Sequence, residues 1–381
     1  MSSDLHVDLV DLGATRVTRV LRVDAQTPPR LRREALQLAG RELRRGELVA
    51  FPTETVYGLG ADATNTEAVE RIFRAKGRPG DNPLIVHIDR VERLRQVVVH
   101  IPPAALELAA AFWPGPLTMV LPKRPEISLA ATAGLETVGV RLPDHPVARE
   151  LIAAADRPIA APSANLSGRP SPTRAEHVLE DLAGRVSLIL DGGPCRIGVE
   201  STVVDMTVDP PVLLRPGGVT LEALQKVLGR VEVDRGVWER VEAGRVRSPG
   251  MKYRHYAPKA PAWLFEGEAG AVADCLARHA GDYLRQGNRI GLVVSEETAR
   301  TIREALPQLE AALAAGTAYL GVAGRRDRPE EYAHALFDLL RRIDAAGVDV
   351  VLMEGVPAAG IGLAVANRLR RAAGYQIVRC E

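Results

Sequence analysis

The chain has 381 residues, 46% of them hydrophobic and 25% charged, with a formal net charge of +1. That balance is ordinary for a globular protein of two or three domains and gives no support to a protein that coats nucleic acid through bulk positive charge. Cys195, Cys275 and Cys380 stand far apart with no CxxC pair, against a zinc or thioredoxin-type site. No apolar run reaches the roughly 18 residues of a membrane span. The acidic opening "MSSDLHVDLVDLG" lacks a signal-peptide core, so a reducing cytoplasm is expected.

In chain order, a short edge strand is predicted around Val17–Val23, then a helical pattern from Arg30 to Arg45. "ELVAFPTET" reads as a buried strand ending in a polar turn. "TEAVERIFRAKG" reads as a helix capped by Thr66 and stopped by Gly77. "PLIVHI" is a strand and "PAALELAAAFW" a helix ended by "PGP". "LTMVLP", "TVGVRLP" and "PIAAP" are strand-like, "RAEHVLEDLAG" is helical, and "VSLILDGG", "ESTVVDM" and "PVLLRPG" are strands closed by turn residues. Helices and strands alternate, yet several strands follow one another directly, which predicts a mixed twisted α/β sheet over residues 1–244. Beyond a linker at 245–260, "PAWLFEG", "RIGLVVS", "TAYLGV", "VDVVLMEGV" and "YQIV" alternate strictly with helices. This predicts a smaller parallel, Rossmann-like α/β domain over 261–381.

The polar groups cluster where strands end, which is where open α/β sheets place ligands. "KGRP" sets Lys76 and Arg78 on a short loop, a fork and a point charge suited to polyphosphate; a solvated helix end with dipole-matched cations is the bland reading. Asn82 and His87 follow at once. "APSANLSG" carries Ser163, Asn165 and Ser167, able to hydrogen-bond ribose, base or phosphate, or to form an ordinary polar turn. "GVESTVVD" carries Glu200, Ser201 and Thr202, "VGVRLP" ends in Arg141, and "LLRPGG" holds Arg215. There is no GxxxxGK[ST], HExxH or GxSxG, and "GVPAAGIG" is not a proper dinucleotide fingerprint. A cation-rich, hydroxyl-rich pocket without an obvious nucleophile fits phosphoryl or nucleotidyl transfer, where positioning and charge stabilisation dominate.

Taken in order, "FPTETVYGLG", "KGRPGDNPLIVHI", "WPGPLT", "VGVRLPDHP", "APSANLSGRPSPT", "GVESTVVD" and "LLRPG" resemble the YrdC-type domain of the L-threonylcarbamoyl-AMP synthases. "SPGMKYRHYAP" and "GIGLAVANRLRRAA" resemble the long two-domain form, and the match runs from about Arg30 onward. The resemblance implies an enzyme, a nucleotidyltransferase, that turns ATP, L-threonine and bicarbonate or CO2 into threonylcarbamoyl-adenylate and pyrophosphate. A partner transferase complex then moves the group to tRNAs reading ANN codons. It implies that Lys76 and Arg78 carry the catalytic charge. ATP would be bound by Lys76, Arg78, Asn82, Thr137, Ser163, Asn165, Ser171, Arg215 and Tyr253, with Mg2+ on its phosphates. Threonine would be bound by Thr55, His87, Arg141, the Ala161 backbone and Ser201, with Arg141 on its carboxylate.

Two other readings are a non-catalytic tRNA or double-stranded-RNA-binding protein, disfavoured by the net charge, and a carbamoyl-adenylate former of hydrogenase maturation, whose acylphosphatase and zinc-finger-like segments are not seen. The linker "RSPGMKYRHYAPKAP" carries Lys252, Tyr253, Arg254, His255 and Tyr256, a composition unlike a plain spacer. It is expected to fold over the pocket as a lid.

Overall fold

The computed structural model describes the strand at 7–10 and residues 17–239 and 255–381. The chain divides into two compact units, one of Met1–Ser167 with Ser171–Lys252 and one of Gly168–Pro170 with Tyr253–Glu381.

The first unit is built on a twelve-stranded mixed sheet. Its spatial order is β1 (Val7–Val10), β2 (Thr18–Arg22), β9 (Leu188–Asp191), β3 (Val49–Phe51), β4 (Gly58–Asp62), β8 (Ile159–Ala160), β5 (Ile85–His87), β7 (Thr137–Arg141), β6 (Leu117–Pro122), β10 (Thr202–Asp205), β11 (Val212–Arg215) and β12 (Glu232–Val233). The strand expected near Val17–Val23 is β2, but it is not an edge, because β1 pairs along it antiparallel. On one side, α1 (Pro29–Arg44) packs Ala35, Leu36, Ala39 and Leu43 with Val147, Leu151 and Ile152 of α4 (Pro146–Ala155) over β3 and β9. Burial of these apolar stripes is what holds the helices to the sheet.

α2 (Thr66–Lys76) starts one residue earlier than expected: Asn65, not Thr66, is the cap, its Oδ1 accepting from Ala68 N at 3.1 Å. Thr66 instead pairs its hydroxyl with Ser128 at 2.9 Å. Gly77 closes the helix at φ 59°, in the left-handed region, so the chain turns sharply and brings Arg78 onto the following loop.

Two features of the topology place the candidate site. β3 and β4 are antiparallel neighbours joined through the Pro52–Tyr57 turn, so "PTET" caps the sheet at their shared end. β5 and β7 are parallel, with Ile85 opposite Gly139 and His87 opposite Arg141. Asn82 and Thr137 therefore belong to the starting ends of this strand pair, and His87 and Arg141 to the finishing ends. Four residues at about 3.3 Å each separate the two ends by roughly 13 Å.

The second unit is a five-stranded sheet in the order β15 (Ala318–Val322), β14 (Ile290–Val294), β16 (Val350–Glu354), β13 (Ala262–Gly267), β17 (Ile377–Cys380), parallel throughout. Helices α7 (Ala269–Arg285), α8 (Glu296–Ala305), α9 (Gln308–Ala314), α10 (Pro329–Ala346) and α11 (Gly362–Ala372) connect the strands, while α3 (Pro103–Phe112), α5 (Ala175–Leu182) and α6 (Leu221–Leu228) belong to the first unit. "GVPAAGIG" is the turn between β16 and α11. Tyr256 is buried in this unit, its ring stacked on Phe337 at 5.1 Å with the Arg368 guanidinium 5.7 Å from its centre. Lys252, Tyr253 and Arg254 of the expected lid lie outside the described residues.

Candidate active site

The threonine-binding candidates surround the finishing ends of β5 and β7. Arg141 is 4% exposed. Its Nε donates to Gly115 O at 3.3 Å, and its Nη2 lies 2.6 Å from Glu54 Oε1. Gly115 sits in "WPGP", whose backbone is tied back by Gly115 N donating to Leu142 O at 2.8 Å. His87, across from Arg141, is buried and meets Phe51 edge-on at 6.2 Å between ring centres. Burial, and then the neighbouring Arg141 guanidinium, push its imidazole down to about 3, so His87 is neutral at any working pH. Ala161 N donates to Ile85 O at 2.8 Å, fixing the strand that leads into "PSAN".

Thr55 is fully buried, its hydroxyl 2.8 Å from that of Thr53. Thr53 Oγ1 also accepts from Thr55 N and Val56 N and donates to Val56 O. The "PTET" turn is thus held by its own hydroxyl groups, a local side-chain-to-backbone device. Ile197 N and Gly198 N donate to the carbonyls of Glu54 and Thr55 at 2.7 and 3.1 Å, docking the "GVEST" loop on it.

Ser201 joins three stretches. Its hydroxyl is 2.8 Å from Thr118 Oγ1 in "GPLT", and its carbonyl accepts from Arg215 Nε and Nη2 at 3.0 and 2.9 Å. Arg215 Nη2 also reaches Ser201 Oγ at 3.1 Å. Gly217, two residues on, runs so close that a Cβ there would lie 2.3 Å from Thr202 N and 2.4 Å from Glu200 O. Only glycine admits that approach of "RPGG" to "EST".

On the nucleotide side, Lys76 is 2% exposed. Its Nζ donates to Ser163 O at 2.6 Å and to Asn165 O, while Ser167 N donates to Lys76 O at 2.9 Å. The cation loop and "PSAN" are therefore one piece. Ser163 Oγ donates to Asn165 Oδ1 at 2.6 Å, and Asn165 Nδ2 to Leu166 O at 2.8 Å. Arg78 Nη2 donates to the carbonyls of Asn82 and Pro83 at 3.2 and 3.3 Å. The Asn82 side chain is buried with neither amide atom hydrogen-bonded, a cost that a ligand can remove. Ser171 Oγ donates to buried Glu200 Oε1 at 2.6 Å.

Direct bonds thus tie "PTET" to "GVEST", "EST" to "GPLT", "RPGG" and "RPSPT", and the cation loop to "PSAN". Thr137, half-buried at the start of β7 and paired in register with Pro122, shares an end of the sheet with Asn82. Tyr253 lies outside the described residues. Glu54, Thr53, Thr118 and Gly217 belong to the same network and were not singled out from the sequence. Glu54 stood in plain view between two threonines of "PTET", and its charge in an otherwise uncharged buried turn was the available signal.

Comparison with known proteins identifies the family. The Sua5/YciO/YrdC family, described as telomere recombination, matches residues 41–217, and the threonylcarbamoyl-AMP synthase C-terminal domain matches residues 219–374. Threonylcarbamoyl-AMP synthase of Pyrococcus abyssi is 48% identical over 344 residues, covering 90% of this chain and 95% of that protein. The Bacillus subtilis protein of the same name is 48% identical over 338 residues, covering 88% and 92%. The crystal structure of P. abyssi Sua5 complexed with L-threonine matches with a TM-score of 0.86 at 45% identity, over 95% of this chain and 99% of that one. With relatives this similar along almost their whole length, the chain belongs to the threonylcarbamoyl-AMP synthase family.

Proposed function

We propose that the chain is a nucleotidyltransferase that converts L-threonine, bicarbonate or CO2 and ATP into L-threonylcarbamoyl-adenylate and pyrophosphate. The reading rests on family membership together with one observation: a buried network that ties Arg141, Thr55 and Ser201 together at the finishing ends of the strands, beside a cation loop anchored on "PSAN". The amine nitrogen of threonine bonds to the carbon of CO2 and loses its proton, giving a carbamate. A carbamate oxygen then bonds to the α-phosphorus of ATP as the bond to the β-phosphate oxygen breaks, and pyrophosphate leaves with that electron pair. Little covalent chemistry falls to the protein; alignment and charge do the work.

Arg141 takes the threonine carboxylate, a group its planar fork suits. Thr55, Ser201, the Ala161 backbone and neutral His87 fix the rest of the amino acid. Lys76, Arg78 and Arg215 face the charge that develops as pyrophosphate departs, and Asn82, Thr137, Ser163, Asn165 and Ser171 hold the nucleotide. Mg2+ comes with the ATP phosphates: among the described residues no group of three or more His, Cys, Asp or Glu could hold a metal, so phosphate oxygens and water would be its ligands. Carbamates and mixed anhydrides hydrolyse readily, and a site walled by residues as buried as Thr55, His87 and Ser201 limits water. The product would pass to a transferase that modifies tRNA, in the cytoplasm; no described helix is long and apolar enough to cross a membrane.

The test is pyrophosphate release from ATP without RNA. It should require both L-threonine and bicarbonate. Tight, steeply salt-dependent RNA binding with no such turnover would favour a non-catalytic RNA-binding protein instead.

A further inference from the structure

A groove of about 850 Å3 runs along the solvent side of α1 and α4, lined by none of the residues placed in the reaction. Its floor is low because Gly40 of α1 approaches α4 so closely that a Cβ there would lie 2.7 Å from Ala154 C, and the neighbouring side chains of α4 are Ala153 and Ala154. One wall is a row of α1 side chains, Arg33, Gln37, Arg41 and Arg44, all exposed. Steps of three and four residues keep them on one face of the helix, and at 1.5 Å per residue the arginines span about 16 Å. The acids lining the groove are already engaged. Asp24 Oδ2 meets Arg22 at 2.5 Å, and its Oδ1 accepts from Gln26 N and Thr27 N at 3.0 Å each. Glu150 Oε1 meets Arg32 at 2.6 Å. Arg33 and Arg41 make no side-chain hydrogen bond or ion pair among the described residues, and Arg44 donates to the Ala154 carbonyl, which leaves its charge in place. Three positive charges therefore stand uncompensated on one face of a chain whose net charge is +1.

A row of guanidinium forks on an open face is the complement of a chain of phosphates. We propose that this groove holds the phosphodiester backbone of an RNA, apart from the catalytic pocket. The choice of RNA rests on the functional reading above, in which the product serves a tRNA-modifying step. The row is longer than a triphosphate, so successive backbone phosphates of one strand engage all three arginines where a single nucleotide cannot. Contacts of this kind orient an RNA without reading its sequence. Holding the acceptor RNA beside the source of a labile adenylate shortens the path that the adenylate travels through water.

The experiment is fluorescence anisotropy of an unmodified tRNA transcript titrated with the full-length chain at several salt concentrations. Each neutralised phosphate contributes a slope of about −0.9 to log K against log salt, so three contacts should weaken binding by about 40-fold between about 50 and 200 mM salt. Glutamine keeps the helix propensity of arginine, and the double variant Arg33→Gln, Arg41→Gln should lose only about three- to fourfold over the same range. The double variant Arg33→Lys, Arg41→Lys should keep the wild-type slope. Arg303→Gln, at an exposed arginine of α8 paired with Glu310, should change nothing. Pyrophosphate release without RNA should be the same in all four proteins. No RNA binding by the wild type, an unchanged slope in the double glutamine variant, or equal flattening by Arg303→Gln would each overturn the proposal. So would displacement of the RNA by stoichiometric inorganic tripolyphosphate, which would mark a site for a small polyphosphate. Absence of pyrophosphate release from the wild type would instead fail the functional reading, whatever the salt slopes.

Discussion

Gly217→Ala tests whether the "RPGG" and "EST" stretches really share one wall. The added Cβ would stand 2.3 Å from Thr202 N and 2.4 Å from both Glu200 O and Ser201 C, all backbone atoms. Ordinary contact needs at least about 3.5 Å, so one segment must move by about 1 Å. No flexible side chain can yield in its place. Overpacking of this kind destabilises by about 1–3 kcal/mol, which for a unit of this size lowers Tm by roughly 2–12 °C. The larger effect is on turnover, because the displaced segment carries Ser201 and the carbonyl held by Arg215. A misplacement of about 1 Å is worth on the order of 100-fold. Gly270→Ala is the matched comparison: that glycine is exposed in the first turn of α7, and a methyl group added there would meet nothing within 4 Å. Alanine at that position should stabilise by up to about 1 kcal/mol. The assay is differential scanning fluorimetry alongside pyrophosphate release with saturating threonine and bicarbonate. Wild-type Tm and turnover for Gly217→Ala would refute the close approach.

Three further outcomes follow from the same geometry. Lys76→Met keeps the buried stem but removes the donor to the Ser163 and Asn165 carbonyls; Tm should fall by an amount equivalent to about 1–3 kcal/mol, and the KM for ATP should rise at least tenfold in steady-state kinetics. Arg215→Lys retains the charge but cannot reproduce the fork on Ser201, so kcat/KM should drop by about 100-fold while the far-ultraviolet circular dichroism spectrum is unchanged. His87 contributes a pH dependence whose sign is fixed. Its imidazole titrates near 3 in the fold against an ordinary 6.5, so between those values the unfolded chain binds a proton that the fold does not. Its contribution is complete above pH 6.5 and drains as pH falls toward 3, with a limiting slope of about 1.4 kcal/mol per pH unit. Denaturant titrations from pH 7 to 5 should show this loss, and His87→Gln should flatten it.

The loop chemistry is largely legible in the sequence. Cations, hydroxyls and amides at strand ends announce themselves one stretch at a time, and the order of seven stretches pointed to the family. The bonds between stretches were not legible, because they join residues far apart in the chain. Ser201 and Thr118 are 83 positions apart, and Lys76 and Ser163 are 87; nothing local to either marks its partner. Some elements were hidden by composition. β4 reads "GLGAD", and its glycines signal a turn, yet it is buried along its whole length between β3 and β8. α4 could have been found, since Pro146 opens it and Val147, Leu151 and Ala155 recur at helical spacing, all buried. The cap of α2 went to Asn65 rather than Thr66 because asparagine at that position has the backbone already extended, at φ −102° and ψ 103°, and so serves the free N–H groups directly.

The central claim is that a carbamate made from threonine and bicarbonate attacks the α-phosphorus of ATP. The most direct test is mass spectrometry of the adenylate formed from ATP, L-threonine and 13C-bicarbonate by the purified chain. One product should carry threonine, AMP and a single 13C together, with pyrophosphate released in equal amount. An adenylate of threonine without the label, formed equally well when bicarbonate is omitted, would contradict the account.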